Sequence, residues 1–325
     1  MIHTRICDLL EIEHPIISAP MSGTAGAELA AAVSEAGGLG LIGASPERGA
    51  DWLRAQIQMA RELTDRPFGV GFISSFPGLD ALVQVALEER VHAMSHSFAD
   101  PTPYVGPAHE AGIKVLAQVQ KVSHARKVAR AGVDVITAQG IAGGGHIGDI
   151  GTLPLVPAVI DAVGDIPVVA AGGIADGRGV AAALMLGAEG VWMGTRFVAS
   201  REAMGSDWMK EAAVAAGTDD TIRTKVYDHT FEMPFPEDIG DRMLRNEFIA
   251  TWDDRPGATQ ANRQELMAEV RGAVASGNVG AAPIRVGSAT GLITGVEPAG
   301  DIVRRIVQET VETMQRRMQT LIVVK

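Results

Sequence analysis

The chain has a single cysteine, Cys7, so it has no intramolecular disulfide and suits a reducing compartment. Its position near the N-terminus, far from the glycine-rich elements, fits a buried thiol better than a nucleophile. Aromatic residues are scarce at 4 %, so no aromatic cluster in the sequence marks a substrate pocket. Positive charge is also short. With 28 Lys+Arg against 39 Asp+Glu, the net charge of −11 argues against nucleic acid or an anionic membrane as main partner, though not against a local pocket for one phosphate. No apolar stretch reaches transmembrane length, and the opening MIHTRICDLLEIEHP carries acids among its apolar residues, unlike a signal peptide. A soluble, cytoplasmic protein is expected. HExxH and histidine pairs at ligand spacing are missing, so no metal is expected. GxGxxG in a strand–helix context and a GxSxG elbow are missing too, which speaks against a tightly bound dinucleotide and an α/β-hydrolase triad.

What is present is apolar residue (46 %) and glycine (38 of 325), in a regular alternation. Short β-branched runs predict strands at Pro15–Met21, Gly38–Ala44, Phe68–Ile73, Ala93–Ser97, Lys114–Val119, Val133–Gly140, Pro167–Gly173 and Gly190–Phe197. Ala-rich helical patterns separate them, among them Gly26–Ala36, Gly49–Leu63, Pro107–Ala111, Val122–Ala131 and Gly177–Leu186. Strands without polar alternation suit a parallel sheet covered on both faces. Eight of them predict an α/β fold of the closed (β/α)8 TIM-barrel type. After Phe197 the rhythm stops. Residues 201–290 show helical patterns (Asp207–Ala216, Asp238–Trp252, Thr259–Ala275) and no strong strand, which predicts a helical lid inserted after strand eight. The apolar spacing of Asp301–Leu321 returns the chain to the barrel as its last helix. The domains expected are therefore a barrel of residues 1–200 and 291–325 and a lid of residues 201–290.

The chemistry is concentrated between Gln139 and Phe197. One strand runs into Gly143-Gly144-Gly145-His146, and the last two strands end at Gly172-Gly173 and Met193-Gly194-Thr195. Glycines at strand ends let backbone N–H groups approach a flat ring or a phosphate, because no Cβ intervenes. The last two βα loops are where such barrels hold phosphate, with helix amides after Asp176 and the Thr195 hydroxyl as further donors. The turn Ala19-Pro20-Met21-Ser22 after the first strand can lie beneath a flat cofactor, and Gln118 and Gln139 can bond its polar edge. Of eight histidines, only His146 sits in a glycine loop at the barrel mouth, where an imidazole can take or hold a proton. His96, at the end of the fourth strand, is a weaker candidate for the pocket, and Tyr227, His229, Phe231 and Phe235 are the lid's candidates.

The segments PIISAPMSG, AQGIAGGGHIG and LPLVPAVIDAVGDIPVVAAGGIADGRGVAAALMLGAEGVWMGTRF, in that order from Pro15 to Phe197, closely resemble the nitronate monooxygenase family of FMN-containing TIM barrels. The resemblance implies FMN contacts at Ala19, Pro20, Met21, Gln139, Gly144, Gly145, Gly172, Gly173, Met193, Gly194 and Thr195, with His146 as the catalytic histidine. Ser22, Gly71 and Gln118 join the expected cofactor set by their places at strand ends. Gly71 stands where the family often has Asn, Ala142-Gly143 where Glu-Ala is usual, and Trp192 where Gln is common, which bears on the substrate more than on the cofactor. The implied reaction is oxidation of alkyl nitronates, or of nitroalkanes through them, to carbonyl compound and nitrite with O2. A homo-oligomer is compatible with this. The resemblance extends to NAD(P)H-dependent FMN reductases of the enoyl-ACP reductase and quinone reductase type, which share the Gly-Gly-His loop. A non-catalytic flavin-binding protein is the remaining alternative.

Overall fold

Runs such as Val168–Ala171 and Phe68–Ile73 have no polar face to show to water, and the chain buries them in a parallel barrel. The computed structural model describes residues 2–321. Its strands are β1 (Ile16–Ser18), β2 (Gly40–Gly43), β3 (Phe68–Ile73), β4 (Ala93–Ser97), β5 (Lys114–Val119), β6 (Val135–Gln139), β7 (Gly145–Ile147), β8 (Val168–Ala171), β9 (Gly190–Met193), β10 (Thr221–Thr224) and β11 (Gly240–Leu244). Eight pair in the order β1-β9-β8-β6-β5-β4-β3-β2. The ring closes through an Ile17–Leu39 bridge, with Leu39 N–H donating to Ile16 O at 2.9 Å and Ser18 N–H to Leu39 O at 3.0 Å.

Inside the barrel, Ile17, Leu41, Leu116, Val135, Val169 and Trp192 pack together with Ile6 and Leu10 of the helix Arg5–Leu10. That helix plugs the N-terminal end, where Ile6 fills the space a side chain on Gly190 would need. Cys7 is buried there, and burial pushes its thiol up. Each such fully buried Leu or Ile contributes about 1.5–3 kcal/mol. The opposite end stays open. The C-terminal helix Ala299–Leu321 packs against the helices Gly177–Met185 and Ala27–Glu35, burying Ile302, Val303 and Ile306. No described helix is long and apolar enough to cross a membrane.

Three strand ranges stand as the sequence predicts them: β3, β4 and β5. The others are shorter. β1 stops at Ser18 because the chain turns at Ala19-Pro20, where Pro20 has no N–H for a ladder and Met21 N–H donates back to Ala19 O. β9 stops at Met193, and Thr195–Val198 is a helical turn rather than strand. The helix predicted at Pro107–Ala111 starts earlier, over Thr102–Glu110, with proline in its first turn. The insert departs most. It contains β10 and β11, and the stretch predicted as one helix over Asp238–Trp252 is β11 followed by the helix Glu247–Trp252. β11 lies between β10 and β7 in an antiparallel sheet. Its partners lie far away in sequence, so no local periodicity could reveal it.

Candidate active site

A cavity of about 420 Å³ opens at the C-terminal ends of the barrel strands. Ala19, Pro20, Met21, Ser22, Gln118, Gln139, Gly144, Gly145, His146, Gly172, Gly173, Met193, Gly194 and Thr195 line it. Gly71 does not. Pro20 sits on it, so that a Cβ there would meet Pro20 Cγ at 2.1 Å, and the glycine supports the turn rather than the cavity. A larger depression of about 670 Å³ lies away from this mouth, against the C-terminal helix. Its Arg178 pairs with Asp176, and its Arg196 and Arg305 pair with Glu297, which leaves Arg316 as its further cation.

The glycines serve different ends. Gly172 and Gly173 take φ of +96° and +82°, a left-handed loop that glycine adopts without the strain a side chain would bring. Gly144 is small for another reason: a Cβ would lie 2.5 Å from Gly287 N, so its bareness admits the returning chain of the insert. The helix amides expected to face a phosphate are taken. Asp176 accepts from Arg178 and Gly179 N–H at 3.0 and 3.1 Å, and Glu309 accepts from Gly177 N–H at 3.0 Å. The amides of Gly173, Ile174 and Thr195 donate to no group among the described residues. The Thr195 hydroxyl accepts from Gly287 N–H at 2.9 Å and keeps its own proton to give.

Two amide side chains mark a polar edge. Gln118 Oε1 accepts from Ser97 Oγ at 3.0 Å, which leaves its buried Nε2 without a partner. Gln139 Oε1 accepts from Gln120 Nε2 at 2.9 Å. A buried amide nitrogen without an acceptor, on a cavity wall of glycine and proline, fits a flat group with carbonyl or ring-nitrogen acceptors. A flat ring with acceptors beside Gln118 and a phosphate beside Gly173, Ile174 and Thr195 would meet these donors.

His146 lies on β7, with a side chain 8 % exposed. Asp228 Oδ1 accepts from its Nε2 at 2.8 Å, and Asp241 Oδ2 stands 4.0 Å from the same nitrogen. Asp241 is itself 1 % exposed and accepts from Arg285 Nε at 2.7 Å. Phe235 stacks on the imidazole, and Phe98 and Phe76 meet Phe235 edge-on. These rings cover the imidazole against water. Phe98 holds φ at +69°, a conformation a bulky residue adopts at a cost of order 1–3 kcal/mol, commonly at a working site. His96 does not reach the cavity. It is buried between Phe72 and Tyr104 outside the barrel, and burial brings its pKa down from 6.5 to about 4. His229 is exposed, and Tyr227 is buried in the lid core.

Asp228, Asp241, Arg285, Phe76 and Phe98 stand around His146 and were not marked by the sequence. Asp228 sits between the two lid candidates Tyr227 and His229, where nothing but the fold distinguishes it. His146, Asp228 and Asp241 bring ligand atoms within 4.8 Å of one another, a set no sequence spacing could reveal because it joins β7 to two elements of the insert. Arg285 already supplies the positive charge beside Asp241, which favours an ion-pair network over a cation site.

The sequence profile described as nitronate monooxygenase matches residues 3–81 and 75–309. The chain is similar to FabK from Thermotoga maritima, with 41 % identity and a TM-score of 0.90 over 99 % of this chain and 100 % of that one. It is similar to a nitroalkane oxidase from Streptomyces ansochromogenes, with 29 % identity and a TM-score of 0.85 over 96 % and 99 %. A Mycobacterium tuberculosis protein, (3aS,4S,5R,7aS)-5-hydroxy-7a-methyl-1-oxo-octahydro-1H-indene-4-carboxyl-CoA dehydrogenase, is 39 % identical over 250 residues, 76 % of this chain and 68 % of that protein.

Proposed function

The chain is an oxidoreductase of the nitronate monooxygenase family, and on that premise we propose that it binds FMN in the barrel mouth and oxidises alkyl nitronates, or nitroalkanes through their nitronates, to carbonyl compound and nitrite with O2. The observation that carries this reading is His146, a nearly buried imidazole on the wall of a glycine-lined cavity, hydrogen-bonded through Nε2. A nitroalkane is a carbon acid, and a base of this kind takes the proton from the carbon that bears the nitro group. Gln118 and Gln139 hold the ring edge of FMN. Gly173, Ile174 and Thr195 hold its phosphate. Phe235 and Phe98 keep water from the base. Bound there, FMN supplies the electron transfer between substrate and oxygen. The test is nitrite release coupled to oxygen uptake with nitroethane and with its nitronate, on protein whose extracted cofactor is identified by mass. Nitrite in step with oxygen supports the reading, and FMN-loaded protein that releases none overturns it.

A second reading has a specific observation in its favour. Identity is higher to FabK and to the CoA-ester dehydrogenase, at 41 % and 39 %, than to the nitroalkane oxidase, at 29 %. The same mouth would serve an NAD(P)H-dependent FMN reductase or a dehydrogenase of an activated ester. Bleaching of the flavin by NADH or NADPH without oxygen identifies the first of these.

A further inference from the structure

His146 and the carboxylate bonded to it come from different parts of the fold. The histidine stands on β7 beside the barrel, and Asp228 on the helix Val226–Phe231 of the insert. Both side chains are nearly buried, at 8 % and 7 % exposure. The other acid near the ring, Asp241, faces His146 in the β7–β11 register, but Arg285 already occupies its Oδ2 and its Oδ1 has no partner among the described residues. Asp228 is therefore the group that bonds Nε2. No hydrogen bond to Nδ1 forms among the described residues, and the ring lines the cavity.

We propose that Asp228 is the positioning residue of His146: it holds the ring proton on Nε2 and leaves Nδ1 bare toward the cavity, so the insert completes the base. The proposal rests on His146 acting as base. In the step it serves, the C–H bond beside the nitro group breaks with its electron pair left on the nitro-stabilised carbon, and the proton goes to Nδ1. The imidazolium then sits between Asp228 and Asp241, with Arg285 on the far side of Asp241, giving two cations and two carboxylates in one nearly buried cluster. A neutral imidazole with its proton on the wrong nitrogen offers the cavity a donor in place of a lone pair. A nitronate supplied ready-made has no such proton to lose, so it bypasses the pair.

The experiment compares Asp228→Asn, Asp228→Ala and His146→Ala holoenzymes on nitroethane and on its preformed nitronate. In parallel, 15N NMR of histidine-labelled protein reads which ring nitrogen carries hydrogen. The expected result is a loss in kcat on nitroethane of about 100-fold or more for Asp228→Asn. On the nitronate the loss stays within about threefold, because the proton-transfer step is absent. The His146 resonances leave the Nε2–H pattern. Equal losses on both substrates, or an unchanged Nε2–H tautomer in Asp228→Ala, overturn the proposal. If His146→Ala costs nothing on nitroethane, the base reading itself fails. A loss in His146→Ala with none in Asp228→Asn removes only the role of Asp228. Should neither nitro compound be turned over, the tautomer still decides.

Discussion

At Gly71 and Arg285, single side chains carry consequences that the site's geometry makes measurable. A methyl on Gly71 meets Pro20 Cγ at 2.1 Å and Pro20 Cβ at 2.3 Å. The Gly71→Ala variant is therefore expected to lose about 1–3 kcal/mol in a urea titration, as overpacking does. A variant as stable as the parent would mean that Pro20 is free to move. Arg285 is the one cation bonded to Asp241 among the described residues, and Asp241 is 1 % exposed. Arg285→Met leaves that carboxylate unpaired and is expected to cost roughly 2–3 kcal/mol, at or below the lower end for a broken buried pair because the arginine side chain is 38 % exposed. No loss would show that Asp241 has another partner. Read from the sequence, Gly71 is an expected cofactor contact, which the structure replaces by a supporting role, and Arg285 is silent. The packing of Pro20 on Gly71 has no local signal, and Arg285 is a lone charge between Arg271 and Glu297 in a stretch without motif.

Among the elements, the antiparallel sheet of β7, β10 and β11 ties the insert to the loop that carries His146. The insert's own core is built on Tyr227, Met243, Phe248, Ile249 and Leu266. Tyr227 OH donates to Ala281 O at 2.8 Å and accepts from Asn246 Nδ2 at 2.9 Å, and burial pushes its pKa up to about 12. Tyr227→Phe is expected to lower stability by about 1–2 kcal/mol, since the hydroxyl's two partners are left behind, and chemical denaturation measures it. An unchanged midpoint would place water on those partners. The barrel strands were legible where apolar runs end in a clear break, as at Phe68–Ile73, and overdrawn where a turn continues in small apolar residues, as in Ala19-Pro20-Met21. β10 and β11 were not legible, because their short, half-polar sequences become strands only through partners far along the chain.

Over the whole molecule, the glycine loops and His146 stand out in the sequence because consecutive glycines at strand ends and a histidine beside them form an ordered pattern along the strands. The acids and rings that complete the site come from the insert and from loops with no pattern of their own. One buried group couples the barrel to pH. His96 is fully packed, with its pKa lowered from 6.5 to about 4 by burial. Its folded-state value lies below its unfolded one, so its contribution is whole above pH 6.5 and is lost as pH falls from 6.5 toward 4. The loss approaches roughly 3 kcal/mol, and the His96→Gln variant should show a flatter stability–pH curve over that window. An equal slope in both proteins would move the titration elsewhere. The central claim is chemical, and one measurement reaches it most directly: anaerobic mixing of the purified yellow protein with propyl-2-nitronate, NADH and NADPH in turn, followed by its visible spectrum. The account predicts that the flavin bands change with the nitronate and stay oxidised with both nicotinamides. Rapid bleaching by NADH or NADPH, with no response to the nitronate, would contradict it.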